Sequence, residues 1–328
     1  MALWKVEREL VRVSQQLRGI PEAFTDAMAR KRLDRSVAAG LPTLDGNLPV
    51  CAKVAVVLVF QPRGIAQSTI EQCQWLADSG YAPLVVCNSQ LSEADEARLT
   101  PVIWRAITRP NFGYDFGGYR DALTSLEQWG VMPDTLLILN DSVWVPVTAG
   151  SGLLARLEDD KADVAGSILR ERGDERFLES YCYRFRGGVL QSTAFRQFWS
   201  TFRLTSNKYY VIRRGERGFS AALQSAGLTL SPLYDQDGLQ AVLADQSPEF
   251  LLKTLRYATN LPPDLVNPCN RLVQEGSNDD SDAWRARALK LLDRILGRSL
   301  AYSSLPYAAV HLMDYPFLKK SGDRTAVA

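Results

Sequence analysis

Hydrophobic residues recur every three or four positions near the start of the chain, which is the spacing of one face of a helix. The stripe consists of Leu3, Val6, Leu10, Val13, Leu17 and Ile20. Basic side chains occupy the other faces, so this amphipathic helix could pack on the body of the protein, pair with another chain or lie on anionic lipid. Residues 30–50 are basic and then rich in Gly, Pro and Asp, and they are predicted to form a linker.

Residues 53–169 alternate continuous apolar runs with helical patterns. The predicted strands are KVAVVLVF, APLVVCN, PVIWRAIT, DTLLILND and ADVAGSIL. Continuous apolar strands separated by helices are typical of a parallel sheet covered on both faces, so the predicted fold class is α/β, mostly parallel and doubly wound. Ligands bind outside the carboxyl ends of such strands, where this sequence places Asn88, Arg109 and Asn140.

A different pattern follows Ser180. SYCYRFRGGV predicts a strand and turn, QSTAFRQFWSTF and ERGFSAALQSAG predict helices, and LTLSPLY predicts an edge strand. Beyond residue 235 the chain is predicted to be helical, with a basic amphipathic helix near residues 284–298. Three parts result: an amphipathic helix and linker at 1–45, a ligand-binding domain at 46–235 and a helical extension at 236–328.

A glycine-rich loop, RPNFGYDFGGYR at residues 109–120, lies between a predicted strand and a helical pattern that begins near Gly118. Glycine permits positive φ and a close approach of the backbone to a ligand, while the aromatics offer flat walls. Because the loop leads into a helix, its backbone N–H groups are expected to be free for an anion. Gly113 and Gly117 are predicted to adopt positive φ or to line the approach to a phosphate. An elaborate loop-to-helix cap is the structural alternative.

The run LLILNDSVW changes abruptly from apolar residues to Asn140, Asp141 and Ser142. A carboxylate and an amide at a buried strand end need a partner, which could be a ribose, a metal ion or a helix that Asp141 or Ser142 caps. The position at a strand's carboxyl end favours a ligand over the cap.

The charges nearly cancel, with 38 Lys and Arg against 37 Asp and Glu. A formal charge of +1 provides no global field for nucleic acid, so no nucleic-acid partner is predicted. The single histidine, His311, leaves no Ser-His-Asp triad, so carboxylates, lysines and arginines must carry any chemistry. Five scattered cysteines suit a reducing compartment, and no apolar run approaches the ~18 residues of a membrane span. A cytoplasmic protein, at most attached to a membrane surface, is expected.

Five motifs occur in one order: NFGYDFGGYRDAL, LILNDSVWVP, SYCYRFRGGVLQSTAFRQFW, ERGFSAALQSAG and PFLK. Over residues 51–320 they resemble the rhamnan synthesis protein F family of polysaccharide glycosyltransferases. The resemblance implies a GT-A-like nucleotide-sugar transferase acting in bacterial O-antigen, capsule or cell-wall rhamnan assembly. It also implies a donor such as dTDP-L-rhamnose and a lipid-linked oligosaccharide acceptor. Peripheral contact with the inner face of the cytoplasmic membrane, or with a polysaccharide assembly complex, would follow.

Larger inverting GT-A families carry an Asn-x-Gly loop, which Asn111-Phe112-Gly113 resembles, and an Asp-x-Asp motif that falls on residues 140–142. Ser142 stands at the last position, so binding of Mg²⁺ or Mn²⁺ by Asp141 is in doubt, because Ser is a neutral ligand. The donor-binding residues implied are Arg109, Asn111, Gly113, Asp115, Gly117, Arg120, Asn140, Asp141 and Lys319. Without a metal, Arg109, Arg120 and Lys319 are the candidates for holding the leaving diphosphate.

Inverting transfer requires a base for the acceptor hydroxyl. Related families place this carboxylate at the start of a helix that ends in Gly, and Glu216 opens ERGFSAALQSAG. Glu216 is therefore the expected base, with Asp115 as its rival; a first-turn glutamate favoured by the helix dipole is the structural alternative. Because of Ser142, a non-catalytic GT-A-like binding or scaffolding subunit of an assembly complex is the alternative function.

Overall fold

The computed structural model describes residues 25–320, except residues 149, 236, 237, 278 and 280. The helix predicted at residues 3–20 lies outside the described residues. The strands are β1 (Thr43–Asp45), β2 (Lys53–Val59), β3 (Ala82–Cys87), β4 (Arg105–Thr108), β5 (Thr135–Asn140), β6 (Val143–Trp144), β7 (Val164–Gly166), β8 (Leu169–Arg172), β9 (Glu175–Leu178), β10 (Cys182–Arg186), β11 (Leu230–Pro232) and β12 (Leu318–Lys319).

The helices alternate with these strands in the first half of the chain and dominate the second half. They are α1 (25–38), α2 (Gln67–Asp78), α3 (Glu93–Leu99), α4 (Tyr114–Gln128), α5 (Leu153–Asp159), α6 (Gly187–Gln191), α7 (Thr193–Thr201), α8 (Lys208–Ile212), α9 (Gly218–Ser225), α10 (Leu239–Ala244), α11 (Pro248–Arg256), α12 (Pro263–Gly276), α13 (Asp282–Leu296), α14 (Ala301–Ser304) and α15 (Pro306–Met313). A 3-10 turn (Thr100–Val102) precedes β4, and a π-helical turn (Arg213–Arg217) joins α8 to α9.

Two compact units divide the chain. The first contains Met1–Asp141 and Lys161–Ser231, and the second contains Ser142–Asp160 and Pro232–Ala328. This division differs from the predicted one, which placed residues 142–160 with the sheet.

The first unit is built on an eight-stranded sheet in the order β1-β4-β3-β2-β5-β10-β7-β11. Its strands β4, β3, β2 and β5 are parallel to one another, because the intervening helices return the chain to the same end of the sheet. β1 and β10 run antiparallel to their neighbours. The predicted α/β class with a mostly parallel sheet is confirmed, and β11 is the predicted edge strand.

Aromatic side chains from α4, α7 and α9 form much of the core on one face of this sheet. Phe116 stacks on Trp199 with ring centroids 5.8 Å apart, and Phe195 lies edge-on to Phe219 at 5.8 Å. All four side chains are buried. Phe195 and Trp199 of α7 are thus core residues, and Phe198 packs against the core from a partly buried position.

The linker predicted at residues 30–50 is wrong for residues 30–38, which lie in α1. Leu33, Val37 and Leu41 recur every four residues and are buried in the main core cluster. The charged residues around Leu33, which are Arg32, Asp34 and Arg35, concealed this stripe in the sequence. The Gln128 Nε2 donates a hydrogen bond to the Val37 carbonyl at 2.8 Å, which fixes α1 against α4.

The second unit is mainly helical, and the helices predicted beyond residue 235 are present. Trp284 of α13 is fully buried, and its Nε1 donates to the Leu272 carbonyl of α12 at 3.0 Å. Strands β6 and β12 form a small antiparallel sheet. Across the described helices, none combines the length and hydrophobicity that crossing a bilayer requires.

Candidate active site

Polar residues gather at the edge of the sheet where the four parallel strands end. Asn88 follows β3, Arg109 follows β4, and Asn140 is the last residue of β5. β10 runs in the opposite direction, so Ser180, two residues before its start, lies at this same edge. The convergence expected from the strand pattern is present, and the antiparallel strand adds to it.

Arg109 lies behind the glycine loop with no exposed side-chain surface. Its Nε donates to Asp121 Oδ2, its Nη1 to Asn88 Oδ1 and its Nη2 to the Phe112 carbonyl, each at 2.6 Å. Asp121 is equally buried, so the pair compensates two charges that would be costly alone. The prediction that Arg109 contacts the donor diphosphate is therefore wrong: its guanidinium is enclosed and holds the loop in place.

Arg120 is also engaged in ion pairs. Its Nη2 lies 3.0 Å from Asp34 Oδ1 and 3.0 Å from Asp121 Oδ1. The side chain lines a groove formed by residues of α1, α4 and α7, including Trp199. Arg120 thus joins α1 to α4 through its ion pairs, and these contacts do not support its predicted role at the diphosphate.

The two predicted glycines have different functions in the loop. Gly113 has φ of 83° at the N-terminus of α4, which is one of the two predicted alternatives, whereas Gly117 lies within the helix and does not have positive φ. A Cβ on Gly117 would lie 2.3 Å from the Phe112 carbonyl oxygen. Gly117 therefore permits close approach of the loop to its own helix. That helix begins at Tyr114, one turn before the predicted start near Gly118, and no side chain caps its N-terminus.

The tip of the glycine loop is held from two sides. Exposed Asn111 accepts a hydrogen bond from Asn88 Nδ2 at 3.2 Å, which extends the bonding chain from Arg109. The Tyr114 hydroxyl donates to the Ser206 carbonyl at 3.0 Å, which ties the loop to the segment that precedes α8. The loop is thus fixed before any ligand arrives.

Asp141 follows β5 and is half-buried. Its Oδ2 accepts hydrogen bonds from the Phe60 N–H at 2.9 Å and from Gln61 Nε2 at 3.3 Å, which joins the ends of β5 and β2. The chain then enters strand β6, so Asp141 caps no helix and that alternative is wrong. Its other carboxylate oxygen makes no hydrogen bond within the described part of the chain.

Asp115 lies in the first turn of α4, and its Oδ2 accepts from Asn140 Nδ2 at 3.1 Å. Burial, followed by repulsion from Asp141, raises the pKa of Asp115 to about 6, although Lys208 acts in the opposite direction. Two carboxylates and a lysine therefore lie within electrostatic reach of one another at this edge.

Tyr119 and Ser180 connect this group to Glu216. The Tyr119 hydroxyl accepts from Asn140 Nδ2 at 2.9 Å and donates to the Ser180 carbonyl at 2.8 Å. The Ser180 hydroxyl donates to Glu216 Oε1 at 2.5 Å. Asn140 and Tyr119 are buried, so this network positions Asp115 and Glu216 relative to each other through fixed hydrogen bonds.

Glu216 lies in the π-helical turn, within a helical run that begins at Lys208 and ends at Ser225. It does not open a helix, so both its predicted position and the first-turn alternative are wrong. Burial, then repulsion from Glu179, raises the pKa of Glu216 to about 7, with a further contribution from Asp115. Such a value suits a group that exchanges protons near neutral pH. π-helical turns often occur at functional sites.

Two predicted positions belong to the second unit. Ser142 accepts a hydrogen bond at its carbonyl from the Lys320 N–H at 3.0 Å. Lys319 is exposed in β12, with its ammonium 6.0 Å from the centre of the Tyr302 ring. Its role in donor binding stays a prediction. Over residues 25–320, apart from the gaps given above, no group of three or more His, Cys, Asp and Glu side chains is arranged to hold a metal ion.

Sequence reasoning missed Tyr119, Glu179, Ser180 and Lys208. Glu179 and Ser180 lie three and two residues before β10, and their place at the carboxyl edge depends on β10 being antiparallel. The alternation in SYCYRFRGGV was a usable signal, because antiparallel strands alternate more often than buried parallel ones. Tyr119 lies in the glycine motif, but only its burial beside Asn140 shows its function.

Several solved structures share partial likeness with the chain. A mannosyltransferase of Pyrobaculum calidifontis in complex with GDP-Man and Mn²⁺ is 10% identical, with 91% of this chain and 89% of that chain covered and a TM-score of 0.32. The galactosyltransferase LgtC with donor and acceptor sugar analogues is 13% identical, with 71% and 99% covered and a TM-score of 0.36. TarS residues 1–349 of S. aureus with UDP-GlcNAc is 13% identical, with 75% and 73% covered and a TM-score of 0.34.

Sequence comparison gives the family. An uncharacterized protein of Sinorhizobium fredii is 33% identical over 233 residues, which is 70% of this chain. The chain spans 61% of the length of that curated relative. The family model of rhamnan synthesis protein F matches residues 84–257, more than half of the chain, and this match contains the glycine loop, the end of β5 and Glu216. The chain therefore belongs to the rhamnan synthesis protein F family.

Proposed function

We propose that the chain is a GT-A-like glycosyltransferase that moves a sugar from a nucleotide donor onto a growing bacterial surface polysaccharide. The favoured donor is dTDP-L-rhamnose, the reaction inverting, and the acceptor a lipid-linked oligosaccharide. The observation that carries this proposal is the pair of half-buried carboxyl groups, Asp115 and Glu216, which one hydrogen-bond network joins at the carboxyl edge of the sheet and whose pKa values are raised to about 6 and 7.

Glu216 is the proposed base. A base works best when its pKa is close to the working pH, because it is then largely ionised and still a strong proton acceptor. The Ser180 hydroxyl donates to one of its oxygens and fixes the orientation of the carboxylate. The Glu216 carboxylate would remove the proton of the acceptor hydroxyl as that oxygen attacks the anomeric carbon, and the diphosphate would leave from the opposite face.

Asp115, Asn140 and Asp141 are the proposed donor side. Repulsion between Asp115 and Asp141 contributes to the raised pKa of Asp115, so a divalent cation beside them would relieve an existing conflict of charge. Mg²⁺ and Mn²⁺ are commonly held by one or two carboxylates together with substrate phosphates. Such an ion would stabilise the charge on the leaving diphosphate.

Lys208 is a further candidate for that charge. It is exposed, and it lies close enough to Asp115 to oppose the rise in the pKa of that carboxyl group. Arg109 and Arg120 are committed to ion pairs with Asp121, whereas Lys208 has electrostatic access to the donor side through Asp115. Lys319 remains the candidate that the sequence motif supplies.

Calorimetric titration with dTDP and UDP, with and without Mn²⁺, tests the donor side. Asp141→Ala should weaken nucleotide binding at least about tenfold, the effect of losing a charged contact. Asp78→Ala is the matched control, because Asp78 is exposed at the far end of α2. Equal nucleotide affinity in Asp141→Ala and the wild type would contradict the donor role.

The reaction itself is tested with a panel of nucleotide sugars. The wild type should release nucleoside diphosphate slowly from one of them without acceptor, and faster with acceptor. Nucleotide binding without hydrolysis or transfer of any sugar would instead support a non-catalytic subunit. The observation that favours this alternative is Ser142, a neutral residue where a charged metal ligand is usual.

A further inference from the structure

The segment that leads to Glu216 carries an exposed basic strip on the first unit. We define the basic strip as Arg203, Lys208, Tyr209, Ile212, Arg213 and Arg214. Residues 203–215 contain four Lys and Arg and no Asp or Glu. Arg203, Lys208 and Arg213 make no ion pair with any residue that the structure describes, and Arg214 lies 5.0 Å from the Tyr210 ring. The three arginines of the strip therefore present positive charge that no ion pair of the described residues neutralises.

Apolar surface accompanies this charge. Tyr209 is 53% exposed and Ile212 is 37% exposed. Polar side chains at these two positions would not weaken the core, so the core does not explain why they are apolar. The inward side of the segment is apolar, with Leu204 and Val211 buried in the main core cluster. The core contacts thus hold the segment firmly, while its outward face combines an aromatic ring, an aliphatic side chain and arginines.

The basic strip is continuous with the candidate active site. Lys208, in the first turn of the same helical run, lies close enough to Asp115 to oppose the rise in the pKa of that carboxyl group. The Tyr114 hydroxyl bonds the Ser206 carbonyl and ties the strip to the glycine loop. Any surface that covers the strip therefore lies beside the mouth of the site.

We propose that the basic strip docks on an anionic phospholipid membrane and presents the site to acceptors held in that membrane. The three arginines match anionic headgroups, and Tyr209 and Ile212 suit the boundary between headgroups and acyl chains. A free phosphate ligand would not account for the exposed Tyr209 and Ile212, because phosphate is recognised by hydrogen-bond donors rather than by apolar surface. The membrane contact itself stands on the strip, and its use in catalysis rests on the proposed function.

Vesicle sedimentation of the full chain tests the docking. Vesicles of phosphatidylglycerol and phosphatidylcholine in equal parts should bind the wild type, and vesicles of phosphatidylcholine alone should bind it far more weakly. The variant Arg203→Gln, Arg213→Gln, Arg214→Gln should lose about a hundredfold in affinity for the anionic vesicles, from about fivefold per charge. Tyr209→Ser with Ile212→Ser should weaken the same binding through its apolar part.

The matched control removes three exposed arginines from α12 and α13 of the second unit: Arg271→Gln, Arg287→Gln and Arg294→Gln. This control should bind vesicles nearly as the wild type does. Wild-type binding in the strip variant, or an equal loss in the control, would overturn the proposal, because another part of the chain would then hold the membrane.

Calorimetry with dTDP on the same variants separates this proposal from the proposed function. Loss of dTDP affinity in the strip variant with vesicle binding intact would make the strip a soluble-phosphate site and overturn the docking. Failure of the wild type to bind any nucleotide would refute the proposed function, while the vesicle result would stand as a property of the strip.

Discussion

Two polar clusters lie beside the glycine loop, and they differ in how their charges are balanced. In the first, Arg109 faces Asp121 at 2.6 Å and every nitrogen of its guanidinium has a partner. In the second, Asp115 and Glu216 are bound by neutral donors and repelled by other carboxylates, so their pKa values rise. Balanced buried charges build the loop, whereas acids left without an ion pair are available for chemistry.

The largest effect is expected from breaking the balanced cluster. Arg109→Met leaves Asp121 buried without its closest cation, so the free energy of unfolding should fall by about 3 to 5 kcal/mol. Chemical denaturation measures it. Arg120→Met is the matched control, because Arg120 contacts the same carboxylate from a partly exposed position, and it should cost only about 1 to 2 kcal/mol. Equal losses of unfolding free energy in the two variants would contradict the view that Asp121 depends mainly on Arg109.

Neutralising Glu216, an acid without an ion pair, should raise the free energy of unfolding rather than lower it. A carboxyl group with a raised pKa in the folded state binds more protons there than in the unfolded state. Stability should therefore fall as pH rises from about 4.5, the ordinary pKa of Glu216, to about 7, its folded pKa. Glu216→Gln removes this titration and should stabilise the protein at pH 8 by up to about 3 kcal/mol, with little change at pH 4.

Denaturant unfolding of both proteins across this pH range checks the sign. A wild-type stability that rises between pH 4.5 and 7, with no gain in Glu216→Gln at pH 8, would mean that Glu216 is ionised and compensated like Asp121. The comparison between the two clusters would then fail.

Glycine substitutions should give smaller effects and sharpen the comparison within the loop. Gly117→Ala places a Cβ 2.3 Å from the Phe112 carbonyl that Arg109 binds, so about 2 kcal/mol should be lost with partial opening of the balanced cluster. Gly113→Ala should lose about 1 kcal/mol through its positive φ, and its Cβ, 2.7 Å from Leu204 Cδ2 and 3.2 Å from Gly117 Cα, requires the Leu204 side chain to shift. Thermal unfolding ranks the two, and a larger loss in Gly113→Ala would contradict this account.

The elements of the sheet were largely predictable from the sequence. The runs KVAVVLVF, APLVVC and TLLILN have no alternative to a buried strand, and the convergence of Asn88, Arg109 and Asn140 follows from parallel order alone. What the sequence could not show is which charges pair. Arg109 and Asp121 are twelve positions apart, and nothing in their spacing distinguishes a buried ion pair from a ligand site.

The errors share a physical cause, because local patterns omit tertiary contacts. The stripe of Leu33, Val37 and Leu41 has meaning only once a core lies beside it. The helix that carries Glu216 begins eight residues before the predicted start, since Val211 anchors α8 and a π-helical turn continues the helix through Arg213, Arg214 and Gly215. A π-helical turn shifts the periodicity by one residue, which conceals the continuity from a count of apolar positions.

The most direct test of the central claim, that Glu216 is the base beside a donor site containing Asp115, is the measurement of kcat and donor affinity in Glu216→Gln and Asp115→Asn. Glu216→Gln should keep the wild-type donor affinity and lose at least about 10²-fold in kcat, as expected for a general base. Asp115→Asn should weaken donor binding as well as turnover. Near-normal turnover in Glu216→Gln, with none in Asp115→Asn, would contradict the account and transfer the role of base to Asp115.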